Sequence, residues 1–403
     1  MRFEASVPLY GGYVLSRREG VVFLKGALPG EVVEAEITEK KRDYSVAEVR
    51  EVLEPSADRV SPACGVYGIC GGCHYQHISY SGQVRVKEAV LRDVLKRIGK
   101  IEVNLDSSIV SEPWHYRKRV QFKVSKEGAV GFYRPLSHDV VQLKTCMLLS
   151  PELNVVLSRL KNSCLPVGVK ELLLQCGDVL AARLYGKEVA LDNAKADLGR
   201  AGVSVVPATG EGNNGDVGRM CLDLCGYHYM VTPGSFFQSN WSVNRKLVSV
   251  VASLVSALAP RRVLDLYAGA GNFSIPLSKY SAEVVAVEEN PVSYGDAMEN
   301  IRINGLENIK FHNRKVESLN IRGHVDVVVV DPPRTGISKG VMKKLQAVMP
   351  RWIFYISCNP ATFARDLNRL SDIYDLESVR LVDMFPQTYH IETLGVLRSG
   401  QEK

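Results

Sequence analysis

Long apolar runs are absent from this 403-residue chain. No stretch approaches the ~20 apolar residues of a membrane-spanning helix, and the start, Met1–Glu4, lacks the features of a secretory signal. Hydrophobic residues make up 46% of the chain and charged residues 23%, as in ordinary globular proteins. We therefore expect a cytoplasmic, monomeric protein of two or three domains, with no membrane partner.

The cysteines lack the even count of a disulfide framework. The chain has nine, without a secretory signal, and this combination favours metal-binding or catalytic thiols. Three are closely spaced as C-x5-C-x2-C and a fourth follows 73 positions later: Cys64, Cys70, Cys73 and Cys146. Such a set could bind zinc or a [4Fe–4S] cluster, and the absence of two close pairs mildly favours the cluster. We expect Cys164, Cys176, Cys221 and Cys225 to be core residues.

A strong overall charge is also missing, because the net charge is only +6. Residues 81–126 contain eleven Lys or Arg against five Asp or Glu, so the whole excess lies there. Their centre, Trp114–Phe122, interleaves aromatic and basic residues as a nucleic-acid surface does. A solvated basic face is an equally good interpretation of the charge alone.

The pattern of predicted strands and helices changes along the chain. Residues 1–54 contain short strand candidates (20–24, 26–31 and 32–37), which indicate a small barrel, although this segment is slightly acidic. An amphipathic helix is predicted over Val84–Ile98, mixed strands to about residue 206, and a linker over 209–216. From about residue 236, helices alternate with buried strands, which predicts an α/β fold with a doubly wound, mostly parallel sheet. The predicted strands are Arg262–Leu266, Glu283–Val287, Ile309–Asn313, Val325–Val330 and Trp352–Ile356.

A nucleotide-type pocket is predicted where the first of these strands ends. Gly269 and Gly271 follow it, but Ser274 replaces the third glycine of a dinucleotide fingerprint. Glu288, at the end of the next strand, could accept hydrogen bonds from the two ribose hydroxyls of an adenosine cofactor. The missing glycine favours S-adenosylmethionine over NAD, because S-adenosylmethionine has no pyrophosphate to cradle.

Two further strand ends contain residues suited to chemistry. Asp331-Pro332-Pro333-Arg334 resembles the loop of enzymes that methylate exocyclic amines, but Arg334 replaces the aromatic residue typical of that loop. Cys358 follows the strand Trp352–Ile356. A lone cysteine there is most often buried as a small hydrophobe, but its thiolate could also add to an electron-poor ring carbon.

Together with Ser357–Pro360, Asp383–Glu392 and Phe237–Asn240, these features resemble the RNA uracil-C5-methyltransferase family over essentially the whole chain. The nearest subgroup is that of the iron–sulfur ribosomal RNA enzymes with an N-terminal TRAM domain. The resemblance implies a TRAM- or OB-like β-barrel over 1–55 and a mixed α+β central domain over 56–235, with the cysteine cluster and a basic RNA-facing segment. A Rossmann-like class I methyltransferase domain would occupy 236–403.

The resemblance also assigns roles to individual residues. Cys358 would be the nucleophile and Glu392 the base. Contacts to S-adenosylmethionine would come from Gln238, Tyr267, Asn272, Glu288 and Asp331. The four clustered cysteines would hold [4Fe–4S], with zinc as the alternative, and the substrate would be structured RNA, with ribosomal RNA favoured over transfer RNA.

The uracil chemistry independently needs a thiolate and a base. Thiolate addition to carbon-6 makes carbon-5 nucleophilic, and a base must then remove the carbon-5 proton so that the thiolate can leave. The target base must also leave its stack to reach the thiol. Two other hypotheses remain: an amine-directed methyltransferase using Asp331-Pro332-Pro333, and a non-catalytic RNA-binding or assembly module.

Overall fold

The structure is a computed structural model that describes residues 1–17, 20–160, 165–206, 219–321 and 323–400. The predicted linker 209–216 and Cys164 lie outside these residues. The described chain forms four sheets with eight α-helices. No helix in these ranges combines the length and the apolar composition needed to cross a bilayer.

The N-terminal strands curl into a barrel. Their order in the sheet is β1-β5-β6-β4-β3-β2, so the two edge strands β1 and β2 are consecutive in the chain. Between them, the Ala5 N–H donates to the Glu31 carbonyl and the Ser6 N–H to the Leu15 carbonyl, which joins the two edges. Leu24, Val33 and Ala47 fill the interior. The strands are β1 Arg2–Glu4, β2 Val7–Leu9, β3 Tyr13–Ser16, β4 Val22–Lys25, β5 Val32–Lys40 and β6 Ser45–Glu54.

One predicted strand of this region is wrong. Residues 26–31 form a turn, in which Gly30 has a φ of 87° and the Leu28 N–H donates to the Glu31 carboxylate at 2.7 Å. Pro29 has no N–H to donate to a hydrogen bond of a sheet, and the left-handed backbone of Gly30 interrupts a strand. These two neighbours therefore favour a turn.

The predicted amphipathic helix is confirmed, but it begins earlier. Helix α1 spans Tyr80–Val94, because the Ser79 hydroxyl accepts from the Gly82 N–H at 3.2 Å and caps its start. A π-helical turn, Leu95–Gly99, continues it. Strand β7, Asp106–Ile109, follows and pairs in parallel with a strand near the C-terminus.

A second sheet forms the middle of the molecule, in the order β10-β9-β8-β11-β12-β13, and two helices pack against its apolar face. Its elements are β8 Arg119–Val124, β9 Val130–Tyr133, β10 Val140–Gln142, α2 Pro151–Leu160, β11 Val169–Cys176, β12 Leu180–Gly186, α3 Glu188–Arg200 and β13 Ser204–Val206. A separate hairpin joins β14 Met220–Leu224 to β15 Tyr227–Val231.

The C-terminal half builds an eight-stranded sheet, in the order β18-β17-β16-β19-β20-β22-β21-β7. The first five strands are parallel, and β22 runs antiparallel between β20 and β21. The elements are α4 Trp241–Leu258, β16 Arg262–Leu266, α5 Ser274–Ser278, β17 Glu283–Glu288, α6 Pro291–Ile303, β18 Ile309–Asn313, β19 Val327–Val330, α7 Lys339–Val348, β20 Trp352–Ser357, α8 Pro360–Leu370, β21 Tyr374–Val382 and β22 Glu392–Ser399.

The five predicted strands of this sheet are confirmed, with β19 shorter by two residues than predicted. The sheet also takes β7 from the segment predicted as a central domain, and α1 packs on its face through Val90, Leu91 and Val94. The predicted domain boundaries stay a prediction, but residues 80–109 share their core with the C-terminal sheet.

Candidate active site

The candidate active site lies where three neighbouring parallel strands end. Strands β16, β19 and β20 are adjacent in the sheet and end at Leu266, Val330 and Ser357. Because parallel strands end at the same edge, Tyr267, Asp331 and Cys358 come together there.

Cys358 occupies the turn between β20 and α8. The Asn359 carboxamide caps the helix by accepting from the Ala361 N–H at 3.0 Å. Burial raises the pKa of the Cys358 thiol to about 11, and the charges of Glu392 and Asp331 add to the rise. The nearby Arg334 opposes them, since its positive charge favours the thiolate. Burial therefore favours the thiol over the thiolate at this position.

Glu392 lies beside the thiol because of strand pairing. It begins β22, and its neighbour Thr393 is paired with Ser357, the last residue of β20. The side chain is buried, and its Oε2 has no hydrogen-bond partner within the described chain. Burial, and then the charge of Asp331, raise the pKa of Glu392. A carboxyl with a raised pKa and a free oxygen can take up or give a proton near neutral pH.

A pocket next to these residues contains four of the five predicted cofactor residues. Its wall includes Gln238, Tyr267, Asn272 and Asp331, together with the aromatic rings of Tyr229, Phe236, Phe237 and Trp241. The pKa of Asp331 is raised, first by its loss of water and then by the charge of Asp265. A cation would restore the charged form of this carboxylate.

Glu288 acts on the glycine turn itself. Its Oε2 accepts from the Gly269 N–H at 3.0 Å and its Oε1 from the Asn290 N–H at 2.7 Å. Gly269 has a φ of 56°, and a side chain there would meet no atom within 4 Å, so the turn is open toward the pocket. Glu288 thus lies next to the pocket and holds its rim.

Asn272 is engaged by another residue. Its amide exchanges two hydrogen bonds with Asn244 of α4, at 2.8 and 3.1 Å. This pair fixes the orientation of the Asn272 amide at the pocket wall.

The sequence prediction missed Asp265 in the middle of β16. Its buried carboxylate accepts from the Ser274 hydroxyl, so the serine that replaces the third glycine serves this acid. Burial raises the pKa of Asp265 to about 7. An acid inside the apolar run Val263–Leu266 was a visible signal, because a buried carboxylate is rare unless it is used or paired.

Aromatic rings from three parts of the chain line the approach to Cys358. Tyr389 lies 5.9 Å from Tyr10 of the barrel, 4.4 Å from His74 and 4.6 Å from His390, measured between ring centroids. The charge of Arg334 lowers the pKa of His390, although burial is the larger cause. The barrel and the cysteine segment therefore both border the candidate active site, which the sequence did not reveal.

The four clustered cysteines line one cavity. Cys64, Cys70, Cys73 and Cys146 surround it, along with apolar side chains such as Phe132 and Leu148. Burial raises the pKa of Cys73 to about 12, and the neighbouring thiols add to the rise. In the described ranges, no three His, Cys, Asp or Glu side chains are grouped around a position for a single metal ion. The thiols thus share a cavity without the close grouping of a formed zinc site.

The other cysteines are only partly core residues. Cys176 is buried and its Sγ lies 3.2 Å from the Ser150 hydroxyl. Cys221 is half-buried, whereas Cys225 is exposed, with a φ of 54° at the turn between β14 and β15. The prediction that Cys225 is a core residue is wrong, because the residue is at the tip of a hairpin.

The basic segment is less available to a partner than its charge suggests. Lys87 is buried, and its Nζ bonds the Asp383 carboxylate at 2.6 Å. Arg92 and Arg97 pair with acids one helical turn earlier. Arg119 lies over the Phe236 ring at 5.4 Å, beside the cofactor pocket. Part of the positive charge therefore stabilises the protein itself.

Comparisons with known proteins identify the family of the chain. Residues 222–400 match the family model described as tRNA (Uracil-5-)-methyltransferase. The 23S rRNA (uracil(1939)-C(5))-methyltransferase RlmD of Shewanella amazonensis is 34% identical, over 96% of this chain and 92% of the relative. An uncharacterized RNA methyltransferase of Aquifex aeolicus is also 34% identical, over 96% of both chains.

The solved structures give the same family. The crystal structure of Pyrococcus abyssi tRNA (uracil-54, C5)-methyltransferase in complex with S-adenosyl-L-homocysteine has a TM-score of 0.78 and 25% identity, covering 98% of this chain and 100% of the other. The class I methyltransferase fold with additional domains, expected from the sequence, is confirmed. The chain belongs to the RNA uracil-C5-methyltransferase family, whose members are S-adenosylmethionine-dependent enzymes.

Proposed function

We propose that the protein transfers a methyl group from S-adenosylmethionine to carbon-5 of a uridine in 23S ribosomal RNA. The observation that carries this proposal is the meeting of Cys358, Glu392 and Asp331 at one end of the sheet, next to the cofactor pocket. Ribosomal RNA is favoured because the RlmD relatives are named for it and align over nearly the whole chain. Transfer RNA is the alternative, as in the Pyrococcus abyssi enzyme.

In this proposal Cys358 acts first. Its thiol proton passes to solvent, its sulfur adds to carbon-6 of the uracil, and the electron pair of the C5=C6 double bond moves to give an enolate in which carbon-5 is nucleophilic. When bound, S-adenosylmethionine would supply an electrophilic methyl group to carbon-5, with S-adenosylhomocysteine as the leaving group. Glu392 then removes the carbon-5 proton, and the returning electron pair expels the Cys358 thiolate and restores the ring.

The charge around the pocket suits a cationic methyl donor. Asp265, Asp331 and Glu392 all have pKa values raised by burial, so each would gain from a nearby positive charge. In our proposal the contacts come from Gln238, Tyr267, Asn272 and Asp331, and Glu288 reaches the ribose from the rim. A positive sulfonium among these carboxylates would favour the ionised form of Glu392 before methyl transfer, so that the base is already deprotonated when the carbon-5 proton must be removed.

We further propose that Cys64, Cys70, Cys73 and Cys146 hold a [4Fe–4S] cluster. Four thiols around one largely apolar cavity are the donor set of such a cluster. Zinc is the alternative, because four thiolates are also a common donor set of structural zinc. Four protein ligands leave no open iron, so the role we assign is structural or RNA-positioning.

The remaining sequence predictions are part of the same proposal. The barrel over 1–55 would be a TRAM domain that contacts the RNA, and the enzyme would act in the cytoplasm as a monomer. The Tyr10 ring at the approach to Cys358 supports a direct role of the barrel in substrate contact.

Methyl transfer from labelled S-adenosylmethionine to transcribed 23S ribosomal RNA tests the proposal. We expect incorporation at one or more uridines, mapped as 5-methyluridine, and its loss in the Cys358→Ser variant. Bulk transfer RNA is assayed in parallel. Incorporation into transfer RNA alone would identify transfer RNA as the substrate. Persistent methylation by Cys358→Ser would favour the amine-directed mechanism, and no incorporation into any RNA would favour the non-catalytic module.

A further inference from the structure

The loop that leads into Glu392 has an unusual backbone at its centre. Residues 383–391, here called the catalytic loop, connect β21 to β22, and Gln387 lies in the middle. Gln387 is buried, and its φ is 67°, in the left-handed region that a non-glycine residue rarely occupies. Such a conformation persists only where the surroundings determine it, and it is found most often at functional sites.

Hydrogen bonds from one short stretch of chain determine it here. The Gln387 N–H donates to the Gln83 Oε1 at 2.8 Å, and the Gln387 Oε1 accepts from the Gln83 Nε2 at 3.0 Å. The Gln387 carbonyl accepts from the N–H groups of His74 and Tyr75, at 2.8 and 3.0 Å. Both backbone groups and the side-chain oxygen of Gln387 are thereby held.

Gln83 is the residue that joins these parts. It is fully buried on α1, and its Nε2 also donates to the carbonyls of Ile78 and Tyr75, at 2.9 and 3.2 Å. Its amide therefore links α1, the segment after Cys73 and the catalytic loop. The two glutamines are 304 positions apart in the sequence, so no local pattern reveals the pair.

Other side chains hold the first half of the loop, since the Lys87 Nζ donates to the Asp383 carboxylate and the Phe385 carbonyl, and the Tyr116 hydroxyl donates to the Pro386 carbonyl. The Glu392 Oε2 has no hydrogen-bond partner in the described chain, so no hydrogen bond at this atom fixes the carboxylate, and the placement of its backbone matters. On one side that backbone is held by pairing with Val382, and on the other side it continues into the loop. The loop also carries Tyr389, whose ring lies near Tyr10 and His74, and His390, which lies near Arg334.

We infer that Gln83 is a positioning residue for the reaction, which fixes through Gln387 the loop that carries Tyr389, His390 and Glu392. The inference rests on the proposed function. In this inference, the hydrogen bonds between the Gln83 and Gln387 amides are needed to place Glu392 accurately. Elimination of Cys358 from the methylated ring then depends on Gln83, a side chain of α1.

The test is Gln83→Met, which keeps the length of the side chain and removes its hydrogen bonds. We expect the kcat of methyl transfer to fall about 10- to 100-fold, as for a catalytic group misplaced by about 1 Å. The KM for S-adenosylmethionine should stay within about twofold, because the hydrogen-bond partners of the Gln83 side chain, Tyr75, Ile78 and Gln387, do not line the pocket. Denaturing gels should show more RNA bound covalently to Cys358 than in the unmodified enzyme, because elimination slows.

Tyr374→Phe is the matched control. It removes a different buried hydrogen bond, which the Tyr374 hydroxyl donates to the Pro350 carbonyl at 2.9 Å. This bond does not involve the catalytic loop. This variant should melt earlier than the unmodified enzyme and keep its kcat and adduct level. A Gln83→Met enzyme that behaves like this control would overturn the inference, whereas an unmodified enzyme that methylates no RNA would instead overturn the proposed function.

A second pair of variants tests the backbone of the catalytic loop directly, and it tests the inference even if Gln83→Met does not fold. Gln387→Gly and Gln387→Ala both lose the side-chain bond to Gln83, but only glycine adopts the left-handed backbone without strain. We expect the glycine variant to retain at least about threefold more activity than the alanine variant. Equal activity, or a more active alanine variant, would show that the backbone at Gln387 does not matter.

Discussion

At the scale of single residues, burial raises the pKa of the acidic groups at the candidate active site. Cys358, Asp265 and Glu392 all have raised pKa values, and burial is the first cause in each case. The sequence predicted Cys358 and Glu392 from a resemblance, because motif residues are visible in a string of letters. It could not show that the charge of Asp265 adds to the raised pKa of Asp331, or that the charge of Asp331 adds to the raised pKa of Glu392, since both effects depend on strands meeting in space.

Glu392→Gln separates the two halves of the proposed reaction. The amide cannot accept the carbon-5 proton, so methylation should proceed while elimination stalls. We expect turnover to fall at least about 100-fold and protein–RNA adducts to accumulate on denaturing gels. The double variant with Cys358→Ser should form no adduct, and normal turnover by Glu392→Gln would contradict the assignment of the base.

Arg334 should control the reactivity of the thiol. Its positive charge lowers the pKa of Cys358 against the effect of burial, so removal of this charge should raise that pKa and reduce the thiolate fraction at any pH below it. We expect Arg334→Met to slow iodoacetamide alkylation of Cys358 about three- to tenfold at pH 8, as measured by peptide mass spectrometry. Arg334→Lys keeps the charge and should alkylate nearly as fast as the unmodified protein. Equal rates for the Met and Lys variants would contradict the role of the charge.

At the scale of elements, buried strands were the most predictable part. Runs such as Val327–Val330 are apolar throughout because both faces of a central parallel strand are covered. Helix α1 was predicted four residues late, since its start depends on the cap by Ser79 and not on apolar periodicity. Strand β7 had no signal at all: Asp106–Ile109 is polar and becomes a strand only because the edge of β21 is free to pair.

The cap of α8 is an element-scale feature with a chemical consequence. Asn359 directly follows Cys358, the proposed nucleophile, and satisfies the first N–H groups of the helix, whose positive end favours a nearby anion. Asn359→Ala should reduce the free energy of unfolding by about 1 kcal/mol and also reduce kcat, because the helix start next to Cys358 frays. Chemical denaturation and initial rates measure the two effects.

Ser338→Ala supplies the matched control, since Ser338 caps α7 by the same type of bond, to the Val341 N–H at 3.4 Å. This variant should lose a similar amount of stability and keep its kcat. A loss of stability without any loss of rate in Asn359→Ala would show that the cap has no part in the chemistry.

At the scale of the whole molecule, distant parts of the chain converge on one site. Tyr10 comes from the barrel, His74 from the cysteine segment, and Cys358 from the C-terminal sheet. The buried ion pair of Lys87 and Asp383 ties α1 to the same region. The sequence predicted three successive domains, but contacts between residues hundreds of positions apart have no signature in a single sequence. This is why the shared core of residues 80–109 with the C-terminal sheet was not predicted.

The cysteine cavity gives the last prediction, because it joins two of these parts. Cys64, Cys70 and Cys73 precede α1, whereas Cys146 comes from the loop before α2, so a bound cluster would cross-link the two segments. Cys146→Ser should lose most of its iron and acid-labile sulfide and melt at a lower temperature. Anaerobic purification with iron and sulfide analysis, together with thermal unfolding, measures this. Cys176→Ser is the control, since Cys176 is buried in the same part of the molecule but does not line the cavity. If both variants retain iron equally, Cys146 is not a ligand of the cluster. If the unmodified protein contains stoichiometric zinc, the site binds zinc and not a [4Fe–4S] cluster.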